Sequence, residues 1–599
     1  MKYSIVAICI FLTAVLSGCV TYITDINASR FQIMEEETCI TDVRVLNLHK
    51  LCKVWGFVKY HHPVFLLGEK CWDEELLLLL PEVLDAGSVP EANYIMLNWI
   101  TGLEDVDNYP ADETALEYRN IPKEDMSIQT DRSWVADEIY LGASLSAELL
   151  RLKNVNIIPN EKAPNNFEFG FSSFSNEKPH PAMGFRSNNY RLLGLFRLWN
   201  AIEYYFPYKD IMDYDWDDVL LEFIPEMLEG TDRQSYELTL AALSARTNDA
   251  HVYFTGQSFF EAEFGSFFAP AYLTRADGRL VVWDIYSGRT STLRRGDVLL
   301  KLDGECIDDV IAHRMQYIAV PCSEKVLIRI APWLLRSHTE TMDITVLRDG
   351  VELELSVTGY RVTSAQGIPV INANESFMIN KPTVSHELLE GNIGLINPSK
   401  LARNQTHEII REFADTAGLI IDYRQYPADS ISHTLPQYVM EYQQPAVIVS
   451  IPNPVIPGAF IYQHVSSPPV LGSHASAEFV PPDWENPDNY KKPIVLLMDE
   501  LSMSNPEYAV MLLRAAPNVV VMGSNSTGAD GNIVWLPLPR MDRMAFTGLG
   551  VFTPEGGQTQ RIGLTPDIYV ERTVQGVKEG RDELMEAAIR YIIGDNFIE

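Results

Sequence analysis

Three hydrophobic patterns follow one another along the 599 residues of this chain. Up to about residue 268, apolar residues recur every three or four positions, which is the spacing of amphipathic helices. Residues 269–360 contain short apolar segments separated by Gly and Asp turns, a pattern typical of β-strands and hairpins. From residue 391 onward, fully apolar runs alternate with helical patterns, which favours strands buried on both faces. The pattern therefore predicts a multidomain α+β protein with a helical, a β and an α/β part.

An internal repeat organises the helical part. Residues 51–63 align with residues 195–207 without a gap, and the segments that begin at Trp72 and Trp216 keep the same offset. Each copy has the pattern of two packed helices, as in other repeated helical units. We expect four tryptophans to anchor the cores of the two copies: Trp55, Trp72, Trp199 and Trp216.

The repeat also helps to interpret a pair of histidines. His61 and His62 look like a metal-binding pair, but their counterparts in the second copy are Tyr205 and Phe206. Because aromatic residues fill the equivalent positions, an aromatic packing role is the better interpretation of both histidines.

His251 lies where a predicted helix meets the strand-like residues 252–254. The first copy of the repeat has Asp107 in its place, so the packing of the repeat does not require a histidine there. Junctions of this kind often carry functional side chains. At this point a functional role and a packing role both stay open for His251.

The first residues have the features of an export signal. Lys2 precedes an apolar run over residues 5–16, which is short for a membrane span. The following Leu-Ser-Gly-Cys at residues 16–19 matches a bacterial lipoprotein box, which predicts a mature chain that begins at a lipidated Cys19. The alternative is a plain secretory signal with an incidental cysteine. We therefore expect an exported chain tethered by lipid to the bacterial cell envelope, at the outer membrane on its periplasmic or surface face.

Composition and motifs narrow the possible partners. The formal net charge of −34 argues against nucleic acid and against electrostatic binding to anionic lipid. No Walker loop, GxGxxG or HExxH motif occurs, so we expect no cofactor and no metal.

The changes in pattern also give domain boundaries. Residues 443–492 are rich in proline, which predicts an ordered, non-helical insert over the active face of the last domain. The predicted boundaries are a signal peptide at 1–18, a tether at 19–45, the first helical repeat at 46–185, the second at 186–268, a β domain at 269–360 and an α/β domain at 361–599.

The strongest candidate for chemistry lies in residues 493–514. The apolar run Ile494–Met498 predicts a buried strand, and an amphipathic helix follows the serines Ser502 and Ser504. Ser504 would be the N-cap of that helix, with Glu507 at the position of a capping-box acid. A serine at a strand-to-helix turn also exposes its hydroxyl beside free N–H groups, which suits a nucleophile. The stretch alone leaves both roles open.

Four short segments resemble motifs of the C-terminal-processing and tricorn-type serine peptidases. They are residues 394–396, 420–424, 502–507 and 563–567, in the chain order of that family. The resemblance implies a PDZ-like fold for the β domain and a ClpP/crotonase-like fold for the α/β domain. It also implies that Ser504 is the nucleophile, with Ser502 as the fallback.

The resemblance further suggests how the serine is activated. The processing branch uses a lysine at a position occupied here by Ala529, whereas the tricorn branch uses a histidine from the preceding helical domain, which His251 matches. A neutral imidazole can accept the serine proton and later donate it. Glu507 and Asp249 are candidates to orient or polarise His251, and each also has a structural explanation, as a capping acid and as a turn residue.

The resemblance also implies that two backbone N–H groups stabilise the oxyanion. One belongs to Asn505, and the other to the loop that follows residues 420–424. Since Pro427 has no N–H, Gln425 or Tyr426 would have to donate. Gln560 stands where the family has an acid, so the third catalytic residue stays open.

The sequence as a whole predicts an exported, lipid-anchored serine endopeptidase. Its substrates would be peptides or unfolded proteins, cleaved through an acyl-enzyme with Ser504 as nucleophile and His251 as general base. The resemblance implies that the PDZ-like domain receives an unfolded or C-terminal segment. The alternative is a catalytically inactive surface lipoprotein that binds peptides with the same fold.

Overall fold

The computed structural model describes residues 42–594, apart from 169, 257, 323–324, 326, 362–381, 430, 470–479 and 482. The predicted signal, Cys19 and most of the predicted tether therefore lie outside the described residues. Within the described part, no helix combines the length and the apolarity needed to cross a membrane. The predicted mixture of helices and sheets, with a helical N-terminal region, is confirmed.

The two copies of the repeat share one internal hydrogen bond. Trp55 Nε1 donates to the Trp72 carbonyl at 3.0 Å, and Trp199 Nε1 donates to the Trp216 carbonyl at 2.7 Å. All four tryptophans are buried, so their predicted role as core anchors is confirmed. The helices of this region are Val43–His61, Pro63–Leu66, Trp72–Asp85, Val89–Thr101, Glu113–Arg119, Glu138–Leu141, Ala143–Lys153, Asn188–Tyr205, Trp216–Glu229, Arg233–Ala245 and Ser258–Phe264.

The paired histidines lie in the aromatic core of the first copy. The His61 ring stacks on Phe57 with centroids 4.0 Å apart, and its Nδ1 is 2.8 Å from the Phe57 carbonyl oxygen. Desolvation lowers the pKa of His61 to about 3 and that of His62 to about 4. Tyr205, the counterpart of His61, is buried as well. These contacts agree with the aromatic interpretation, and no group of three or more His, Cys, Asp or Glu among the described residues is arranged to hold a metal.

Replacing His61 with tyrosine, the residue of the second copy, should make folding less sensitive to acid. In the unfolded chain His61 takes up a proton near pH 6.5, whereas in the folded protein its pKa is about 3. Its contribution to stability is therefore present above pH 6.5 and is lost as the pH falls towards 3. Between pH 7 and pH 5 we expect wild type to lose about 2 kcal/mol more than His61→Tyr. Chemical denaturation at both pH values measures this loss, with the exposed His464→Tyr as control. An equal pH dependence in wild type and His61→Tyr contradicts the assignment.

Residues 267–361 form a β unit with two sheets and two covering helices. The hairpin Thr341–Arg348 and Val351–Thr358 is confirmed, and its turn residues Asp349 and Gly350 both have positive φ, as a two-residue turn requires. The larger sheet has the strand order Val351–Thr358, Thr341–Arg348, Val298–Leu302, Arg279–Ile285, Ala271–Ala276, and Glu305–Cys306 also pairs with Val298–Leu302. The smaller sheet consists of Arg336–Ser337, Phe267–Phe268 and Tyr360–Arg361, and the helices are Ile307–Met315 and Leu327–Leu334. The PDZ-like assignment of this unit stays a prediction.

A six-stranded sheet forms the centre of the C-terminal unit. Its strand order is His386–Leu389, Ile393–Ile396, Gly418–Asp422, Ile494–Met498, Val519–Gly523, Ile568–Tyr569. The first pair is antiparallel and the remaining pairs are parallel. Two shorter helices, Thr406–Glu412 and Pro436–Val439, belong to this unit. Because parallel strands place their carboxyl ends at one edge of the sheet, the turn after Ile494–Met498 opens at that edge.

The strand Ile494–Met498 is buried on both faces, as its apolar run predicts. Ile494, Leu496 and Met498 pack in the cluster that contains the helix Asn505–Arg514, while Val495 and Leu497 pack against the helix Glu583–Ile593 on the other face. The observed bounds of this strand coincide with the predicted ones.

The proline-rich insert is ordered and non-helical where the structure describes it, as predicted. It contains the antiparallel strands Gln444–Pro452 and Ala459–Ser467, which form a sheet with Met126–Ile128 on one side and Gly550–Phe552 on the other. The insert therefore joins the helical region to the C-terminal unit.

A second strand pairing connects the same two regions at the candidate site. Tyr253–Phe254, which follows the helical repeat, pairs with Arg543–Thr547 of the C-terminal unit, and Ile533–Pro537 completes this sheet. The pairing fixes the junction that carries His251 against the α/β unit.

Candidate active site

Ser504 occupies a sharp turn between the strand Ile494–Met498 and the helix Asn505–Arg514. Its φ is 66° and its ψ is −121°, a backbone conformation that costs a non-glycine residue about 1–3 kcal/mol. An ordinary N-cap residue has β-region angles, so Ser504 is more than a helix cap. Its side chain is half-buried and lines a cavity of about 140 Å³. The serine thus faces open space in a strained turn.

Ser502 has a different environment. It is fully buried, its hydroxyl donates to the Tyr423 carbonyl at 3.1 Å, and its oxygen accepts the Asp499 N–H at 3.0 Å. These bonds close the turn that follows the strand. The structure therefore brings Ser504 and not Ser502 to the cavity.

Glu507 holds the Ser504 turn in place. Its carboxylate accepts the Ser504 N–H at 3.0 Å, the Ser526 hydroxyl at 2.5 Å, and the N–H groups of Gly528 and Ala529 at 2.9 and 3.1 Å. The carboxylate is fully buried, and desolvation raises its pKa while these hydrogen bonds lower it in part. The bonds do not include His251, so the structure does not place Glu507 behind the imidazole as the sequence suggested.

His251 belongs to a buried cluster with Thr547 and Asp249. His251 Nδ1 is 2.9 Å from Thr547 Oγ1, and the Thr547 hydroxyl donates to Asp249 Oδ1 at 2.9 Å. A threonine hydroxyl has one proton, so Thr547 must accept from His251 Nδ1–H. The imidazole is then the tautomer with a free lone pair on Nε2, which is the form that a general base needs.

Asp249 is the acceptor at the centre of this cluster. It is fully buried and accepts the Thr547 N–H at 2.8 Å, the His251 N–H at 3.0 Å and Gln560 Nε2 at 3.2 Å. Desolvation lowers the pKa of His251, although the Asp249 carboxylate acts in the opposite direction. Asp249 thus reaches the imidazole through Thr547, and Gln560 binds Asp249 at the position where the family has an acid.

The predicted site residues form two groups in the structure. Ser504, Asn505 and Tyr426 line one cavity, whereas His251 lies in the cluster described above. His251 Nε2 is buried and has no hydrogen-bond partner among the described residues, so it does not bind the Ser504 hydroxyl. The two groups are not joined by a hydrogen bond among the residues that the structure describes.

The side chain of Tyr426 lies at the candidate oxyanion site. Desolvation raises the pKa of its phenol, and hydrogen bonding with the Ser504 side chain and the Asn505 N–H lowers it in part. Tyr426 lines the Ser504 cavity together with Asn505, whose N–H is the first that the sequence assigned to the oxyanion. Gln425 precedes Tyr426 in the same loop.

Two residues of the site were not predicted from the sequence. Thr547 connects Asp249 to His251, and Asp530 is a buried carboxylate in the wall of the Ser504 cavity. Asp530 directly follows Ala529, where the processing branch has its lysine, and this neighbour was the available signal. Thr547 ends a strand and belongs to no motif, so the sequence held no signal for it.

Known proteins are similar to this chain in sequence. The family model described as Peptidase family S41 matches residues 392–570. A carboxy-terminal-processing protease from Bartonella bacilliformis is 30% identical over 92 residues, which are 15% of this chain and 21% of that protein. The chain thus spans about a fifth of the length of the curated relative it matches.

Solved structures resemble this chain at low identity. A CPAF mutant is 14% identical, with 69% of this chain and 99% of that chain covered and a TM-score of 0.51. The photosystem II D1 C-terminal processing protease is 16% identical, with 66% and 98% covered and a TM-score of 0.35. At these identities the likeness concerns the fold alone. Residues 392–570, which contain the Ser504 turn, are a peptidase family S41 domain.

Proposed function

We propose that this protein is a serine endopeptidase with Ser504 as its nucleophile. The observation that carries the proposal is the Ser504 turn, where a strained serine faces a cavity at the N-terminus of a helix and at the carboxyl edge of a parallel sheet. Backbone strain of this kind occurs at functional sites, where the surrounding structure holds it in place. Glu507 supplies that support through four hydrogen bonds.

His251 is the proposed general base. Its Nε2 takes the proton of the Ser504 hydroxyl as Oγ attacks the peptide carbonyl, and the imidazolium then gives that proton to the leaving amine. Water attacks the acyl-enzyme in the same way and releases Ser504. Thr547 and Asp249 hold the tautomer and stabilise the imidazolium. The step requires His251 and Ser504 to approach each other when substrate binds, as catalytic hydrogen bonds often tighten only in the complex.

The proposed oxyanion site is the Asn505 N–H together with a backbone N–H of Gln425 or Tyr426. Such donors stabilise the negative charge that develops on the carbonyl oxygen. Tyr426 and Asn505 line the same cavity as Ser504, which supports this assignment.

The proposal also includes the location of the protein and the way it receives its substrate. The lipoprotein box supports lipidation at Cys19, export, and attachment to the cell envelope. The β unit at 267–361 is proposed to be PDZ-like and to receive an unfolded or C-terminal segment of a peptide or protein substrate. The order of a helical, a β and a peptidase unit along the chain supports this arrangement.

An active-serine phosphonate probe tests the proposal. We expect covalent labelling of the wild-type protein at Ser504, mapped by mass spectrometry, and no labelling of Ser504→Ala. The matched control is Ser399→Ala, which removes a hydroxyl outside the cavity and should leave labelling intact. Absence of labelling in a wild-type protein whose thermal unfolding is normal would refute the peptidase and favour the inactive peptide-binding lipoprotein.

A further inference from the structure

The cavity beside Ser504 contains two buried polar atoms that lack a hydrogen-bond partner among the described residues. They are Asp530 Oδ2 and the Tyr508 hydroxyl, and both residues line the cavity. Buried polar atoms in folded proteins almost always have a partner. Two orphans in one cavity therefore indicate a partner that comes from outside the chain.

Asp530 determines the charge of that partner. Its side chain is buried, with 3% of the residue exposed, and its Oδ1 accepts only the Gly531 N–H, at 2.7 Å. It forms no ion pair with any residue that the structure describes, and neither Lys nor Arg occurs among the lining residues. Burial and the neighbouring Glu507 carboxylate raise the pKa of Asp530, because its ionised form is unfavourable until a cation pairs with it. The carboxylate is thus a site for a cationic group.

The other walls of the cavity suit an aliphatic chain. Val449, Leu549 and Val551 contribute apolar surface, and the rings of Tyr508 and His433 lie together with centroids 5.7 Å apart. The volume of about 140 Å³ is close to that of cavities of about 150 Å³ that bind benzene. One side chain of a substrate therefore fits. The net charge of −34 also raises the local concentration of basic peptides.

We propose that this cavity binds a lysine or arginine side chain of the substrate beside the scissile bond. The aliphatic part lies against the apolar wall, and the cationic end pairs with Asp530 and donates to the Tyr508 hydroxyl. The inference rests on the proposed peptidase function and specifies its substrate class: peptides cleaved next to a basic residue. Ser504 lines the same cavity, which places the bound side chain next to the nucleophile.

Two peptidyl phosphonates test this inference. They differ only in the residue beside the phosphorus, which is lysine in one probe and norleucine in the other. We expect the wild-type protein to react at least about tenfold faster with the lysine probe, since a neutral chain leaves the buried acceptors unpaired. In Asp530→Asn the ratio of the two rates should fall towards one. Asp415→Asn removes the same charge from an exposed residue and should keep the wild-type ratio. Equal rates, or a faster reaction with norleucine, in the wild type overturn the proposal while leaving the peptidase function intact.

A binding measurement tests the cation site in the cavity independently of the peptidase reaction. In the Ser504→Ala protein, calorimetry should detect N-acetyl-lysine amide and not N-acetyl-norleucine amide, and Asp530→Asn should abolish the difference. If neither phosphonate reacts but lysine amide binds through Asp530, the peptidase function fails and the cation site stands. Binding that is absent, or that does not depend on Asp530, overturns the cation site.

Discussion

Replacing His251 with alanine is expected to slow acylation of Ser504 by roughly 10²–10⁴-fold, the usual contribution of a general base. The reason is the hydrogen-bond chain from Asp249 through Thr547 to His251 Nδ1, which leaves Nε2 as a buried proton acceptor. The rate of covalent labelling by a phosphonate probe measures the effect. Thr547→Val removes the hydroxyl but keeps the shape of the side chain, and it should produce a smaller loss because the imidazole remains.

The control for this prediction comes from the repeat. His61→Ala removes another buried histidine, but one that packs in the aromatic core of the first copy. Its labelling rate should equal that of the wild type under conditions where both proteins are folded. Equal losses in His61→Ala and His251→Ala would mean that the loss reflects stability, and His251 would no longer be assigned as the base.

The pH profile of labelling gives an independent readout. Burial lowers the pKa of His251, so the imidazole stays neutral and able to accept a proton below the usual histidine range. The rate should therefore persist as the pH falls through 6.5 and decline only at lower pH. A decline centred at or above 6.5 is inconsistent with the buried His251 as the titrating base.

Glu507→Ala is expected to lower the free energy of unfolding by about 3–5 kcal/mol, which is the largest stability effect that we predict. The substitution leaves three donors without their acceptor, namely the N–H groups of Gly528 and Ala529 and the Ser526 hydroxyl, while the Ser504 N–H keeps its bond to the Ala529 carbonyl at 2.9 Å. All three lie in the loop that follows Val519–Gly523, so the loss should first loosen this loop beside the candidate site.

Chemical denaturation followed by tryptophan fluorescence measures the change in stability. Glu390→Ala, on an exposed residue of the same domain, should change it by less than about 0.5 kcal/mol. Glu507→Gln should fall between the two, because the amide keeps one acceptor oxygen but turns an NH₂ group towards donors. A small effect of Glu507→Ala would show that water satisfies the three donors.

The strands of the α/β unit could be predicted from the sequence more accurately than the helices at its C-terminal end. The runs Ile494–Met498 and Val519–Gly523 are apolar throughout, and a strand buried on both faces is their simplest structure. The pattern of residues 578–593 predicts one helix, which is wrong. Gly580 adopts a φ of 73° and ends the helix Val574–Glu579 before Glu583–Ile593 begins. The backbone angles of a single glycine in a helical pattern cannot be predicted from the sequence.

The roles of the candidate site residues could also be predicted only in part from the sequence. The sequence could place Ser504 at the start of a helix, but an N-cap and a nucleophile use the same residue type, and only the φ of 66° separates them. Thr547 could not be found because its partner His251 is 296 residues away and neither neighbourhood carries a motif for the other. Glu507 was predicted as a capping acid or as a partner of His251, and its hydrogen bonds place it in the turn. Local patterns predicted the elements, and long-range contacts decided the roles.

His251 and Thr547 are 296 residues apart in the chain, and this separation determines when the candidate site can form during synthesis. The strand Tyr253–Phe254 pairs with Arg543–Thr547, which the ribosome makes much later. At about 5–20 residues per second, a ribosome needs roughly 15–60 s to extend the chain from one to the other. During that interval the histidine lacks its threonine, and for most of it Ser504 has not been made either. On the proposed mechanism, the growing chain is therefore inactive until Thr547 has been made.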